Sequence, residues 1–144
     1  MIRIMVLDDL ESILDLEHQL FSSPWTIENY HFELMQNPFG HYVVLDEEGI
    51  KGYLGLWIHD DAMQITTLGV DLQVQNRGYG KKLLEYALLK ATQEGVSVIT
   101  LEVRVSNTKA THLYESAGFR QITIRRDYYS HPDEDAVLML KQMR

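Results

Sequence analysis

Three strand-like runs in the middle of the chain, joined by very short connections, constrain the fold most strongly. They cover residues 41–46, 51–59 and 62–71, and they are rich in the β-branched and aromatic residues that favour strands. The segment "EEG" follows the first run and the pair "DD" follows the second. Connections this short are typical of β-hairpins, so the region predicts neighbouring strands in one sheet.

Helical patterns lie on both sides of these strands. Asp8 is the predicted N-cap of the first helix, with Glu11 at the capping-box spacing. Thr26 and Asn107 are the predicted N-caps of the second and fourth helices. Helices are predicted at residues 9–21, 27–37, 78–95 and 107–118, and further strands at 2–7, 96–105, 119–126 and 135–143. The last two strands can pair as a hairpin across "DYYSHPDE".

The order of these elements, β-α-α-β-β-β-α-β-α-β-β, indicates the fold class. Strands that alternate with helices imply crossover connections, so the chain predicts an α/β (α+β) fold with a mixed central sheet. About seven strands form that sheet, and four helices flank it. The length of 144 residues fits a single domain, residues 1–144.

Composition narrows the functional classes. Proteins that bind nucleic acid present basic surfaces to phosphates, so a formal net charge of −8 argues against that class and favours a cationic partner. No apolar run approaches the roughly 20 residues that span a membrane, and no signal-peptide pattern is present, so we expect a cytoplasmic protein without a membrane partner. The histidines show no metal-ligand spacing, and no metal is expected. The absence of cysteine excludes a cysteinyl acyl-enzyme, which favours direct transfer in a ternary complex.

The segment "QNRGYG", residues 75–80, is a candidate anion-binding site. It is not a Walker loop, because Lys82 stands where Ser or Thr is required, and it is not a dinucleotide fingerprint, because position 83 is Leu. What remains is a glycine turn between a strand and a helix, where free backbone N–H groups and the helix dipole attract anions. The alternative interpretation is a glycine-hinged turn flanked by solvated lysines.

The segment "LEVRVSNTKATHLYESAGF" (101–119), which follows Gln75-x-x-Gly78-x-Gly80, resembles the GNAT superfamily of acetyl-CoA-dependent N-acetyltransferases. Within that superfamily, four segments resemble the RimI-type ribosomal-protein-alanine N-acetyltransferases: "SPWT" (23–26), "LEVRVSN" (101–107), "LYESAGF" (113–119) and "IRRDYY…DEDAVLM" (124–139). The resemblance extends from Pro24 to Met139. It implies the GNAT fold, acetyl-CoA as co-substrate and, as acceptor, the N-terminal alanine of a basic ribosomal protein of the small subunit.

The resemblance also implies two catalytic residues. Glu102 matches the family's proton acceptor, and Tyr114 matches the acid that protonates the departing CoA thiolate. Amine attack on a thioester requires a neutral amine, so a proton acceptor is chemically necessary. The alternative interpretation of Glu102 is a surface glutamate paired with Arg104, and that of Tyr114 is a tyrosine that packs in the core.

Binding residues follow from the same resemblance. Contacts with acetyl-CoA are implied for a strand end, for the glycine turn and for the helix after the next strand, namely Leu68, Gly69, Val70, Gln75, Asn76, Arg77, Gly78, Tyr79, Gly80, Lys81, Asn107 and Tyr114. Trp25, Tyr128 and Tyr129 are implied to contact the acceptor. Ordinary aromatic packing is the alternative interpretation for these three residues.

The chemistry of the acceptor favours an N-terminal amine. An α-amine has a pKa of about 8 and a lysine of about 10.4, so deprotonation at pH 7 costs about 1.4 kcal/mol against about 4.6 kcal/mol. A single carboxylate can therefore take the proton of an α-amine more easily than that of a lysine. Two other functions remain open from the sequence: acetylation of a small-molecule amine or a lysine side chain, and a non-catalytic CoA-binding module.

Overall fold

The helices and strands follow one another in the predicted order. In the computed structural model, which describes residues 1–143, the strands are β1 (Ile2–Ile4), β2 (Gly40–Asp46), β3 (Ile50–His59), β4 (Ala62–Val70), β5 (Val98–Arg104), β6 (Arg120–Tyr129) and β7 (Glu134–Gln142). The helices are α1 (Leu10–Leu20), α2 (Ile27–Met35), α3 (Tyr79–Glu94) and α4 (Thr108–Ser116), with 3₁₀ turns at Leu7–Asp9 and Leu72–Val74. Arg144, the last residue of the predicted domain, lies outside the described residues.

These strands form one seven-stranded mixed sheet in the order β1-β2-β3-β4-β5-β7-β6. The pairs are antiparallel except for β4 and β5, which are parallel because the chain crosses over between them through α3. The predicted α/β fold, with about seven strands and four helices, is therefore confirmed.

Hydrophobic side chains cover both faces of the sheet. Alternate residues of β2 enter different clusters: Val43 and Leu45 pack with α3 and α4, whereas Tyr42 and Val44 pack with α1 and α2. Helical spacing predicts that Leu83, Leu84, Leu88 and Ala91 form the apolar stripe of α3. Leu83, Leu84 and Ala91 are buried in the first of these clusters, Leu88 is partly buried against it, and Ala87 is buried there as well. The sheet is thus a central layer between two pairs of helices.

The neighbouring strands β4 and β5 pair only briefly and then separate. Their parallel partners extend over Ala62–Gln64 and Val98–Thr100. Just beyond, the register of β4 against β3 shifts at Thr66, and a bulge of this kind bends the strand that contains it. The separation leaves a gap in the middle of the sheet, on the side where both strands end.

The N-terminal segment differs from the prediction. β1 ends at Ile4 rather than at residue 7, and a 3₁₀ turn stands where the first helix was expected to begin. Asp8 is exposed and does not cap α1, and Glu11 completes no capping box there. These two local predictions were wrong because a tertiary contact of the next residue, Asp9, determines how the chain enters the helix.

Asp9 is buried and joins the segment to the sheet. Its carboxylate accepts the N–H of Val6 at 2.8 Å and pairs with both terminal nitrogens of Arg3 at 2.9 Å. Arg3 also donates from Nε to Asp46 at 3.1 Å, which connects the pair to β2. The Arg3 guanidinium holds the pKa of Asp9 below its usual range.

The ends of the helices partly match the prediction. The Thr26 hydroxyl accepts the N–H of Asn29 at 3.1 Å, and the Asn107 side chain accepts the N–H of Ala110 at 3.1 Å, so both predicted N-caps are confirmed. The second helix ends at Met35 rather than at residue 37.

β6 is longer than predicted and carries a bulge. It extends to Tyr129 instead of ending at residue 126, and its register against β7 shifts between Arg125 and Tyr129. Within the bulge, Asp127 has a φ of +52° and donates its N–H to Asp135 at 2.8 Å. An alternating pattern does not reveal such a shift, because a bulge inserts residues that break the two-residue period.

A carboxylate lies in the interior below β3 and β4. Glu17 of α1 is 1% exposed, accepts the N–H of Trp25 at 2.9 Å and accepts the hydroxyl hydrogen of Tyr53. The Tyr53 ring packs so closely on Gly69 that a Cβ there would lie 2.7 Å from ring atoms. Burial raises the pKa of Glu17, and this effect outweighs the lowering by its hydrogen bonds to Tyr53 and Trp25 and by the nearby His18.

The Asp9 contacts predict a large difference between two adjacent aspartates. We expect Asp9→Ala to lower the free energy of unfolding by about 2 kcal/mol, because it leaves Arg3 and the Val6 N–H without their acceptor. Asp8→Ala, at an exposed position, should change it by less than about 0.5 kcal/mol. Urea unfolding at pH 7 measures both.

The pH dependence provides a check on the same pair. Because the folded pKa of Asp9 is depressed, its contribution to stability is present at neutral pH and is lost as the pH falls through that folded pKa. The difference between wild type and Asp9→Ala should therefore shrink in acid. Equal effects of the two alanine variants at pH 7 would contradict the assignment.

Burial of Glu17 predicts the opposite pH trend. Its folded pKa is raised above the unfolded value of about 4.3, so the wild-type protein loses stability as the pH rises from that value through the folded pKa. Glu17→Gln keeps an oxygen for the Trp25 N–H but carries no charge. We expect this variant to gain stability relative to wild type between pH 5 and pH 8, measured by thermal unfolding. Glu11→Gln, on the exposed side of the same helix, should show no such trend.

Candidate active site

A cavity of about 470 Å³ opens where β4 and β5 separate. Its walls come from these two strands, from the beginning of α4, from the loop between α1 and α2 and from the turn between β6 and β7. Six of the residues singled out from the sequence line it: Trp25, Leu68, Glu102, Asn107, Tyr114 and Tyr129. The fold thus brings together positions that are up to about a hundred residues apart in the chain.

The β4 wall offers a backbone edge. Its pairing with β5 ends at Gln64, so the peptide groups beyond that point on the β5 side have no partner strand. Leu68 lines the cavity on this edge. Gly69 and Val70 continue the strand outside the cavity walls. The carbonyl of Val70 accepts a hydrogen bond from the side-chain amide of Gln75 at 3.2 Å. An extended chain with amide groups could pair with such an edge as an additional strand.

The glycine turn lies outside the cavity walls, at the beginning of α3. Asn76 and Gly78 both have positive φ, +65° and +82°, and no side chain caps the helix that begins at Tyr79. A Cβ at Gly78 would meet no atom of the protein within 4 Å. The first N–H groups of α3, which have no acceptor within the helix, are therefore open to an external anion, with Arg77 and Lys81 close in sequence.

Lys109 of α4 is a residue of this region that the sequence did not indicate. Its ammonium donates to Oε1 of Gln75 at 3.0 Å, which joins the glycine turn to the helix that Asn107 caps. A Cβ at Gly80 would lie 3.4 Å from Leu113, an ordinary van der Waals contact, so packing within the protein does not require glycine at this position. The turn is thus connected to both β4 and α4.

Glu102 lies on β5 with its side chain largely buried at the cavity wall, 13% exposed. Its Oε1 lies 3.3 Å from Nε of Arg125 on β6. The alternative interpretation, a pair with Arg104, is wrong, because Arg104 pairs with Glu134 at 3.2 Å. A carboxylate held by one guanidinium and facing a cavity is suited to accept a proton.

Tyr114 lies on α4 and is buried, with its ring 5.8 Å from that of Phe119. It contributes to the core and also lines the cavity, so the two interpretations of this residue are compatible. No residue among 1–143 hydrogen-bonds its hydroxyl. Burial, together with the nearby Tyr129, raises the pKa of Tyr114 above its ordinary value, so the phenol keeps its proton at neutral pH.

The two adjacent tyrosines of β6 have different surroundings. Tyr129 lines the cavity, and burial raises its pKa to about 12. Tyr128 is half exposed and outside the cavity walls, and a side-chain hydrogen bond to Glu102 raises its pKa to about 12. Their rings meet edge to face with centroids 4.9 Å apart. Trp25 packs on Tyr30 at 5.0 Å and also lines the cavity.

Three further charged residues line the cavity and were not proposed from the sequence as site residues: Glu17, Arg104 and Glu134. The sequence could have indicated Glu17, because this residue stands on the buried side of α1 next to Leu16. It could also have indicated Arg104, because this residue alternates with Glu102 along β5 and so lies on the same face of the strand. Nothing in the sequence indicates Glu134, since it follows an irregular turn.

Two absences can be stated for the described residues. Within residues 1–143, His, Asp and Glu side chains form no group of three or more that could hold a metal ion. In the same range, no helix has the length and apolar character needed to cross a membrane.

The chain is similar to known proteins over most of its length. Residues 10–119 match the acetyltransferase (GNAT) family. A [ribosomal protein bS18]-alanine N-acetyltransferase from Haemophilus ducreyi is 35% identical over 145 residues, which cover 96% of this chain and 97% of that protein.

Two crystal structures are also similar. The ribosomal-protein-S18-alanine N-acetyltransferase from Escherichia coli superposes with a TM-score of 0.90 at 29% identity, covering 99% of this chain and 93% of that one. The NatC complex bound to Gag peptide and CoA contains a chain with a TM-score of 0.84 at 25% identity, covering 100% and 98%. The chain therefore belongs to the GNAT family of acetyltransferases, which use acetyl-CoA as co-substrate.

Proposed function

We propose that the protein transfers the acetyl group of acetyl-CoA to the N-terminal α-amine of a protein, and that the acceptor is the N-terminal alanine of a small-subunit ribosomal protein. The observation that carries the proposal is the cavity itself, where a carboxylate and a protonated phenol, Glu102 and Tyr114, line the gap between β4 and β5. The names of the similar proteins from Haemophilus ducreyi and Escherichia coli support the acceptor. A ribosomal acceptor also places the reaction in the cytoplasm.

Two features of the chain fit acetyl-CoA. The open edge of β4 at Leu68–Val70 suits the amide groups of a pantetheine arm, and the uncapped N-terminus of α3 suits a diphosphate. At that terminus we assign the diphosphate to the stretch from Gln75 to Lys81, including Asn76, Arg77, Gly78, Tyr79 and Gly80. Asn107, which caps α4 and lines the cavity, is also assigned to acetyl-CoA.

The reaction follows from the groups in the cavity. The acetyl-CoA thioester supplies the activated acyl group. Glu102 accepts the proton that the amine loses as its nitrogen forms the new bond to the acyl carbon. The bond between that carbon and the CoA sulfur breaks, and Tyr114 gives its hydroxyl proton to the departing sulfur. The raised pKa of Tyr114 ensures that this proton is present at neutral pH.

Charge favours a cationic amine as the acceptor. The carboxylates of Glu17, Glu102 and Glu134 line the cavity, whereas one guanidinium, that of Arg104, lines it and a second, that of Arg125, pairs with Glu102. An ammonium group is attracted to such a site, and the net charge of −8 extends the attraction to a basic protein. Trp25, Tyr128 and Tyr129 are the aromatic residues that we expect to contact the first residues of the acceptor.

Substitution of the two catalytic residues tests the mechanism. With acetyl-CoA and a peptide that begins with Ala, we expect Glu102→Gln and Tyr114→Phe each to lower kcat about a hundredfold or more, while acetyl-CoA binding is retained. Tyr86→Phe is the matched control, because Tyr86 lies outside the cavity walls and bonds to His41 at 2.7 Å. Mass spectrometry of the peptide and calorimetry with acetyl-CoA provide the two readouts.

The choice of acceptor decides between this function and the others. The Ala peptide is compared with spermidine and with the same peptide carrying a blocked N-terminus and one lysine. Transfer to spermidine or lysine in place of the free α-amine would contradict the proposed acceptor. Tight CoA binding without any transfer would instead indicate a binding module.

Two glycines at opposite ends of α3 test the assignment of the diphosphate. Gly78 and Gly95 both have positive φ, +82° and +69°, and a Cβ at either would meet no protein atom within 4 Å. Alanine at each position therefore introduces a similar backbone strain, about 1–2 kcal/mol. We expect only Gly78→Ala to weaken acetyl-CoA binding, tenfold or more, because its methyl group enters the space beside the helix N-terminus. Equal affinities of the two variants for acetyl-CoA would contradict the assignment.

A further inference from the structure

Arg104, the last residue of β5, contacts two segments that are remote from each other in the chain. Its Nη1 donates to the carbonyl of Pro132 at 3.0 Å and to Oε1 of Glu134 at 3.2 Å. Its Nη2 donates to the carbonyl of Ser130 at 2.9 Å and to the hydroxyl of Ser22 at 3.0 Å. One guanidinium thus joins the α1–α2 loop to the β6–β7 turn.

Other contacts strengthen the same junction. The hydroxyl of Ser23 donates to the carbonyl of Ser130 at 2.8 Å, so that carbonyl accepts hydrogen bonds from both sides. The Arg104 guanidinium also lies over the ring of Tyr129, 4.5 Å from its centroid. A planar guanidinium can donate along several directions and stack on a ring at the same time, which an ammonium cannot do.

The joined segments are walls of the cavity. Ser22, Ser23, Tyr129, Pro132 and Glu134 all line it, and so does Arg104 itself. Between Tyr129 and Glu134, which pair as the last residues of the ladder, the chain turns and pairs with no strand. Arg104 therefore holds both segments at the cavity, together with the Ser23–Ser130 hydrogen bond and the N–H of Ser106, which donates to Glu134 at 2.6 Å.

We propose that Arg104 is a positioning residue that holds the α1–α2 loop and the β6–β7 turn together and so shapes the entrance for the acceptor. It acts through Tyr129 and the two segments rather than on the reacting atoms. The inference rests on the proposed function, because it takes this entrance to be the path of the acceptor peptide. It assigns to Arg104 an effect on acceptor binding that is separate from acetyl-CoA binding.

Steady-state kinetics of Arg104→Gln test the inference. We expect the KM for an Ala-initiated peptide to rise tenfold or more, while the dissociation constant of acetyl-CoA stays within twofold, since Arg104 does not contact the turn at residues 75–81. Arg104→Lys should restore little, because an ammonium cannot reach both segments. Arg120→Gln, an exposed arginine at the beginning of β6, is the matched control and should behave as wild type.

A double variant covers the possibility that Arg104→Gln does not fold. Ser22→Ala with Ser23→Ala removes the loop side of the junction and leaves Arg104 and its contacts with the turn in place. We expect the peptide KM of this variant to rise severalfold without a change in acetyl-CoA affinity. An unchanged peptide KM in the double variant would overturn the inference.

Hydrogen–deuterium exchange separates this inference from the proposed function. In both variants, amides of residues 21–26 and 129–134 should exchange faster than in wild type, whether or not the peptide is a substrate. Unchanged exchange in these segments overturns the role of Arg104 even if the enzyme acetylates the peptide. Faster exchange in a protein that does not acetylate the peptide supports the junction and rejects the acceptor.

Discussion

The separation of β4 from β5 is the constraint on which the rest of the site depends. The two strands share three residue pairs, and the bulge at Thr66 then bends β4 away. A continuous ladder would have satisfied every peptide group and closed the sheet. The gap instead leaves a backbone edge on β4 and a cavity that the Glu102 side chain of β5 lines. Because α3 and α4 begin just after β4 and β5, both helix N-termini lie near this gap.

The face of the sheet beneath α1 and α2, from which Glu102 also projects, is packed with aromatic and hydrogen-bonded side chains. Aromatic rings, those of Tyr30, Tyr42 and Tyr53, fill the space beneath α1 and α2 with two buried carboxylates. Oε1 of Glu33 accepts hydrogen bonds from the hydroxyl of Tyr42 at 2.8 Å and from the side chain of Asn37 at 3.0 Å. Hydrogen bonds of this kind in a low-dielectric interior hold the bonded side chains in one arrangement. Glu17 extends this network to the cavity, because it fixes the backbone of the loop that carries Trp25.

The sequence predicted the elements better than the contacts between them. The stripe of α3 and the caps at Thr26 and Asn107 depend on residues a few positions apart, and the structure confirms them. Asp8 fits the sequence pattern of an N-cap. Asp9 nevertheless determines how the chain enters α1, because its carboxylate pairs with Arg3 of the neighbouring strand. The expected pairing of Glu102 with Arg104 was wrong for the same reason. Glu102 pairs instead with Arg125, which comes from a strand on the far side of β7. The spacing of residues along the chain does not show which side chains pair in the folded protein.

Periodicity and turn residues by themselves determined the order of the elements and the layered α/β architecture, since the burial of alternating and helical faces depends on residues close together in the chain. The motifs, taken in their order, indicated the GNAT family through their resemblance to it. Only the tertiary structure decided where the sheet opens, which groups line the cavity and how Arg104 joins two segments about a hundred residues apart. Those outcomes depend on bulges, on competition among partners for one guanidinium and on the close packing of a ring against Gly69, and such forces act only once the strands lie side by side.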